Sequence, residues 1–234
     1  MSKDYKILKI TPSVYSLHFM EGLKPSIELS ILELRKLFPA GTEITNTFNR
    51  INLIFSNEYQ MDDVVSKVSE IDFNMKGAEG QKKTWKIPIC FDSIFPNDLV
   101  QIYDGNPQKI NAYRAVFLAT TFRLEWYGFL PGFGYLSGLP KELHLDRKKN
   151  PSPLTRKGTV GVGGAQVGVY PQDSPGGWQN LGNCPLPWIN FLEEPYVFIT
   201  VGDNVRFYEV DLTTHNEIAQ SVKRGNYQPN FEHP

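Results

Sequence analysis

Between Thr159 and Val169 the chain reads Thr-Val-Gly-Val-Gly-Gly-Ala-Gln-Val-Gly-Val, a pattern that few backbones other than a tight β-hairpin accommodate. Side chains alternate across a strand with period two, so Val160 and Val162 share one face and Val167 and Val169 share one face of the next strand, with Gly163-Gly164 as the turn. A buried valine side follows. The same alternation gathers Gln166, Gly168 and Tyr170 on the opposite face, where the missing side chain of Gly168 lets a ligand or another backbone approach closely. Gln166 offers one acceptor and two donors there. Two readings stay open: a ligand-facing surface, or plain turns and bulges in which Gln166 satisfies neighbouring backbone groups.

Upstream, Tyr5 to Ile10 and Val14 to Phe19 read as two strands around Thr11-Pro12-Ser13, and Ile27, Ile31, Leu34 and Leu37 recur at helical spacing from Pro25 to the stop at Pro39 and Gly41. The pattern repeats: strands at Ile44 to Phe48 and Ile51 to Phe55, then a helix over Met61 to Ile71 with Val64, Val65 and Val68 on its stripe. The expected fold class is therefore an α+β N-terminal domain, β-β-α-β-β-α in two layers, over residues 1–84. Polar, Gly-containing Gly77 to Lys83 reads as the boundary to a second domain, 85–234. There, a helix start is expected before Ile110, and the short apolar runs after Phe122, cut by Gly and Pro, favour a closed barrel or sandwich. A short C-terminal helix capped by Thr213 or Thr214 over Glu217 to Lys223 and a loose tail, Gly225 to Pro234, complete the reading.

Charge names no partner: 24 basic and 25 acidic residues in 234 give a formal net charge of -1, so no broad field draws nucleic acid or an anionic membrane. No apolar stretch approaches the roughly 20 residues of a membrane span, and Met1 to Lys9 is charged, so a soluble cytoplasmic protein is expected. Two cysteines, Cys90 and Cys184, are too few for a disulfide scaffold or a thiolate zinc site, and no metal is expected.

Three further segments bear on chemistry. Gly128-Phe129-Leu130-Pro131-Gly132-Phe133-Gly134-Tyr135-Leu136 holds more aromatics than a turn requires; Phe133 and Tyr135 either cap a core or wall a pocket. Asp173-Ser174-Pro175-Gly176-Gly177-Trp178 is a tight turn leading into a large aromatic, and Arg156, beside the hairpin, has the planar fork that holds a carboxylate or phosphate in two bonds. Gly161-x-Gly163 begins a dinucleotide fingerprint, yet Gln166 stands at its third glycine and Pro171 follows where a helix is needed, and no Walker-type Gly-Lys-Ser/Thr appears, so both nucleotide fingerprints are rejected. Ser174 and Cys184 are poor nucleophile candidates, because His18, His144, His215 and His233 all lie outside these motifs.

Taken in order between Gly128 and Gln179, Gly-Phe-Leu-Pro-Gly-Phe-x-Tyr-Leu, Thr155-Arg156, Val-Gly-x-Gly-Gly-x-Gln-x-Gly-x-Tyr-Pro and Asp-Ser-Pro-Gly-Gly-Trp-Gln resemble the family that holds the B component of bacterial 5-oxoprolinase (PxpB) and the sporulation-kinase inhibitor KipI, a family also called allophanate hydrolase subunit 1. The resemblance implies a cyclophilin-like β-barrel after the α+β domain, with a shallow pocket. It implies one component, inactive alone, of a complex with the A and C components of 5-oxoprolinase that opens 5-oxo-L-proline to L-glutamate with ATP as co-substrate. Its alternative is a KipI-like inhibitor that blocks autophosphorylation of a sensor histidine kinase; allophanate chemistry ranks third, for want of an amidase serine and lysine signature. The implied ligand residues are Phe133, Tyr135, Arg156, Gln166, Tyr170 and Trp178: Arg156 for a carboxylate or phosphate, Gln166 for the lactam amide, the aromatics as walls. The family commonly carries a histidine where this chain has Phe117, and a Gly-Asp step at Thr11-Pro12, so a polar pocket member is expected to be missing.

Overall fold

The computed structural model describes residues 5–20, 27–47, 49–73, 82–192 and 194–232, in two compact units, Met1–Gly80 and Gln81–Pro234. In the first unit, β1 (Tyr5–Thr11), β2 (Val14–Phe19), α1 (Ile27–Leu37), β3 (Glu43–Thr47), β4 (Arg50–Ile54) and α2 (Met61–Val68) follow the expected order. The strands form an antiparallel sheet, β1-β2-β4-β3. Tyr15, Leu17, Ile51 and Leu53, alternate residues of the two central strands, are buried with Leu34, Val64 and Val68 of the helices, which places the helices on one face. The second helix ends three residues earlier than its apolar stripe suggests, where the Ser69 hydroxyl donates to the Ser66 carbonyl. Pro25, Ser26 and Phe48 lie outside the described residues, as does most of the Gly77 to Lys83 boundary.

The second unit contains β5 (Thr84–Ile89), α3 (Leu99–Ile102), α4 (Pro107–Ala119), β6 (Thr121–Tyr127), β7 (Gly134–Ser137), β8 (Ser152–Thr155), β9 (Thr159–Gly163), β10 (Gln166–Val169), β11 (Ser174–Gly176), β12 (Gln179–Asn183), β13 (Asn204–Glu209), α5 (Leu212–Lys223) and β14 (Asn230–Glu232). Eight strands form one sheet in the order β12-β9-β10-β7-β6-β13-β5-β14, and β8 pairs with β11 separately. The barrel expected from the sequence is not closed. β14 occupies the edge of β5 at Thr84–Lys86, so β12 reaches only Cys90, just past that strand, where an isolated bridge is made by Cys90 N–H to Asn183 O (2.8 Å) and its reciprocal (2.9 Å). Pro88, which brings no N–H, further limits a continuous ladder on β5.

The hairpin reading holds in register: Val167 pairs with Val162 and Val169 with Val160, and all four valines are buried in the main core with Leu124, Leu136, Phe122 and Phe207. α4 starts at Pro107, with the Asn106 side chain accepting Lys109 N–H at 3.0 Å. Two expectations are corrected. Asp211 rather than a threonine caps α5, its carboxylate accepting Thr214 N–H at 2.7 Å, and the described part of the tail is not loose, because β14 pairs with β5 and packs Phe231 against Trp85 with ring centres 4.9 Å apart. Among the described residues no helix is long and apolar enough to cross a membrane.

His215 on α5 is buried against Phe95, and its Nε2 lies 2.9 Å from Asn183 Oδ1. Asn183 already donates its Nδ2 to Lys157 O at 3.0 Å, so its Oδ1 accepts and His215 Nε2 carries the proton. Burial holds this imidazole below its ordinary value of 6.5. The unfolded chain therefore binds the proton first as pH falls, and stability is lost below about pH 6.5, with none lost on this account above pH 7. We expect the urea midpoint of this unit to fall between pH 7 and pH 5, and His215→Gln, which keeps a donor for Asn183 without titrating, to flatten that fall. An equal slope in the variant would assign the titration to another group.

Candidate functional site

The face of the β9-β10 hairpin opposite the valines carries Gly161, Gly163 and Gly168, and a separate aromatic cluster sits on it. Phe133, Tyr170 and Trp178, exposed by 1%, 2% and 6%, are packed together with Tyr135 and Leu130 at its edge. Phe133 lies at the centre, with ring centres 5.0 Å from Tyr135, 5.2 Å from Tyr170 and 5.3 Å from Trp178, all edge to face. The glycines explain the seating. A Cβ at Gly168 would lie 2.6 Å from Phe133 Cζ, and one at Gly163 would lie 2.6 Å from Trp178 Cε2. The close approach that Gly168 permits is thus taken by a side chain of the protein itself, and Phe133, Tyr170 and Trp178 form the floor of the site rather than its open walls.

What a ligand can reach is the rim. Tyr135, half-buried, stacks on Trp126 at 5.0 Å with planes 19° apart, and lies edge-on to Trp178 at 5.7 Å. Gln166 is half-buried at the start of β10 and makes no side-chain hydrogen bond among the described residues, which leaves its amide available. Ser137 on β7 donates to Glu125 on β6 at 2.5 Å, adding a carboxylate to the same sheet region. Burial raises the Tyr135 hydroxyl above its ordinary value, opposed by the nearby Arg147 guanidinium. The Tyr170 hydroxyl is raised by burial as well. Both are neutral phenols at physiological pH and act as donors and surfaces, not as bases.

Arg147 was not among the residues expected from the sequence. Its guanidinium carbon stands 5.8 Å from the Trp178 ring centre, a cation over the aromatic floor, on an exposed loop. The run Asp146-Arg147-Lys148-Lys149-Asn150 has no periodicity and reads locally as a solvated charge run, so only the fold reveals its position. Arg156 is placed differently from expectation. Its side chain is 66% exposed and Nη1 bonds Asp173 Oδ2 at 2.9 Å, while Asp173 Oδ1 accepts Lys157 N–H at 2.8 Å. These bonds hold the Asp173 carboxyl below its usual range. Arg156 therefore pins the β8 end to the Asp173 turn and is not part of the aromatic cluster. Phe117, where the resemblance led a histidine to be expected, faces the main core from α4, 5.1 Å from Phe122 and 5.2 Å from Phe207 by ring centres. It is not a member of the aromatic floor. Cys184 is fully buried and its thiol is pushed up to about 12, which removes it as a nucleophile.

The sequence and the fold are similar to those of known proteins. Residues 6–199 match the family model described as carboxyltransferase domain, subdomain C and D. The chain is 32% identical over 148 residues to the B component of 5-oxoprolinase from Bacillus subtilis (strain 168), covering 63% of this chain and 60% of that protein. It is 31% identical over 174 residues to the B component of 5-oxoprolinase from Escherichia coli O157:H7, covering 72% of this chain and 78% of that protein. In the solved urea amidolyase of K. lactis, a similar fold covers 98% of this chain and 16% of that one, with TM-score 0.77 and 17% identity. The chain thus spans 60% of the Bacillus relative's length and a much smaller part of the amidolyase. With the motifs of the aromatic floor lying inside the matched span, the chain belongs to the family of 5-oxoprolinase B components, within the carboxyltransferase domain family of subdomains C and D.

Proposed function

We propose that this chain is the B component of an ATP-dependent 5-oxoprolinase that opens 5-oxo-L-proline to L-glutamate together with the A and C components of that enzyme. The observation that carries the reading is the identity of 30–32% to three proteins named as B components of 5-oxoprolinase, from Bacillus, Escherichia and Haemophilus. It favours this reading over the kinase-inhibitor alternative. The rim supports it chemically. A lactam amide presents one donor and one acceptor, which a carboxamide such as Gln166 complements, and the substrate carboxylate suits the Arg147 guanidinium, held near an aromatic surface. Transfer of a phosphoryl group from ATP to the lactam oxygen, with release of ADP, makes the lactam carbon electrophilic; a first water adds to it, the C–N bond breaks as the nitrogen takes up a proton to leave an acyl phosphate, and a second water displaces phosphate to give the carboxylate. No nucleophile of this chain is needed for that sequence, in keeping with a component that works in a complex.

The test is glutamate release from 5-oxoproline and ATP by a mixture of the three components from the native host. Release should require this chain, and release undiminished by its omission would end the proposal. In the same assay, with unchanged thermal midpoint, Arg147→Ala should lower kcat/KM at least tenfold, since a charge-assisted contact contributes about 1.5–3 kcal/mol, and Gln166→Ala should lower it several-fold, since a neutral hydrogen bond contributes about 0.5–1.5 kcal/mol. Arg156→Ala should do less, because its charge is already matched by Asp173. A second reading, carboxyl-group transfer, is favoured by the family description and by 31% identity over 200 residues to the urea amidolyase of Lachancea kluyveri. Activity on urea in place of 5-oxoproline by the reconstituted mixture would select it.

A further inference from the structure

A cavity of about 490 Å³ lies between α3 and the basic loop that follows the 3-10 turn Lys141–Leu143, lined by Asp98, Gln101, Lys148, Lys149, Asn150 and Gln179 among others. It is a separate feature from the aromatic floor, yet it shares two stretches of chain with it. Arg147 stands over Trp178 while Lys148 and Lys149 face the cavity, and Trp178 joins the floor while Gln179 faces the cavity. The volume is that of a small-molecule site.

Its chemistry is that of an anion receptor. Asp98, the carboxylate that lines it, is already neutralised: its Oδ2 accepts Asn180 N–H at 2.6 Å and the Lys148 ammonium at 2.7 Å. Lys148 is largely buried, and a second of its three N–H bonds goes to Ser152 Oγ at 3.1 Å, which leaves one donor of a partly desolvated cation to satisfy. Lys149 makes no ion pair among the described residues, and the Gln101 and Asn150 side chains make no hydrogen bond there. Gln179 is fixed by donating to Asp146 O at 2.9 Å, and Lys148 N–H donates to Gly177 O at 2.7 Å, so the basic loop is tied to the segment leading into β12 before any ligand arrives. The balance is one uncompensated positive charge with several unused amide donors around it.

We propose that this cavity binds a phosphate group, and that within the oxoprolinase reading, on which this assignment rests, the phosphate is that of the nucleotide or the inorganic phosphate released from it. Lys149 and the free N–H of Lys148 contact the phosphate oxygens, Gln101 and Asn150 complete the ring of donors, and Asp98 acts only by holding Lys148 in place. The shared loop then sets the phosphate site beside the aromatic site through consecutive residues, Arg147 for one ligand and Lys148 for the other.

The test is an amide NMR titration of the whole chain with inorganic phosphate, ATP and L-glutamate separately, against chloride at equal ionic strength. Saturable shifts at Gln101, Lys148–Asn150 and Gln179 with phosphate or ATP are expected, weakened at least tenfold in Lys149→Glu, a surface change outside the ion pair. Tighter binding of ATP identifies the nucleotide as the source; equal or tighter binding of inorganic phosphate identifies the free ion. Shifts reproduced by chloride, shifts with L-glutamate alone, an unaffected Lys149→Glu variant or no saturation would each overturn the assignment. Because binding is read on the chain alone and oxoprolinase activity on the three-component mixture, either can fail without the other.

Discussion

Replacing Phe133 with alanine is expected to lower the thermal midpoint of the Gln81–Pro234 unit by roughly 10 °C or more. The ring is almost wholly buried and touches Phe129, Tyr135, Tyr170 and Trp178, and it rests on the bare backbone of Gly168. Removing a buried phenyl forfeits its transfer free energy and leaves a hole the neighbours fill only in part, together about 3–5 kcal/mol. For a domain of this size each kcal/mol corresponds to about 2–4 °C. Trp178 lies on the same floor, so its fluorescence should shift towards that of a hydrated indole below the melting transition. A variant melting within 2 °C or so of the parent would mean that Phe133 is a replaceable cap, and that the aromatic floor has no structural role.

Gly168→Val should be nearly as damaging for the opposite reason. A Cβ there meets Phe133 Cζ at 2.6 Å, Cε1 at 2.8 Å and the Gly134 carbonyl oxygen at 3.1 Å, so the ring must leave its seat while the backbone on the far side stays. Overpacking of this kind costs typically about 1–3 kcal/mol and more where backbone blocks relaxation. The two changes share one contact and should not add. In the Phe133→Ala background the valine should be tolerated, because it enters the space the ring vacated, and a double-mutant cycle should show coupling of about 1 kcal/mol or more. Strict additivity would show that the damage at Gly168 comes from its own backbone or from Gly134. In the reconstituted assay both single variants should also lose activity through displacement of Tyr135 and Trp178, whereas Arg147→Ala loses activity with its melting point intact. That contrast separates the packed aromatic floor from the rim proposed to bind substrate.

Local pattern carried a long way in this chain. The period-two alternation of Val160, Val162, Val167 and Val169 determined both the hairpin and which face is buried, because strand geometry leaves a side chain no third direction. The helical stripes of the first unit and the Pro107 start of α4 were legible for the same reason, each signal lying within a few residues, whereas the grouping of Phe133, Tyr135, Tyr170 and Trp178 was implied by the family resemblance of the ordered motifs. What failed was long-range. β14 pairs with a strand that lies well over a hundred residues earlier, and nothing in Asn230-Phe231-Glu232 announces a partner; that pairing occupies the edge a closed barrel would have needed. Arg156 meets Asp173 only once β8 pairs with β11, so no local pattern announced that exposed ion pair. Arg147 carried no local signal at all. Sequence by itself determined which faces are apolar, where glycine permits close approach and which aromatics travel together. Only the tertiary structure decided which cation stands over the aromatics, what fills the space above Gly168 and which carboxylate neutralises which base, because these depend on the meeting of segments whose separation along the chain leaves no periodic trace.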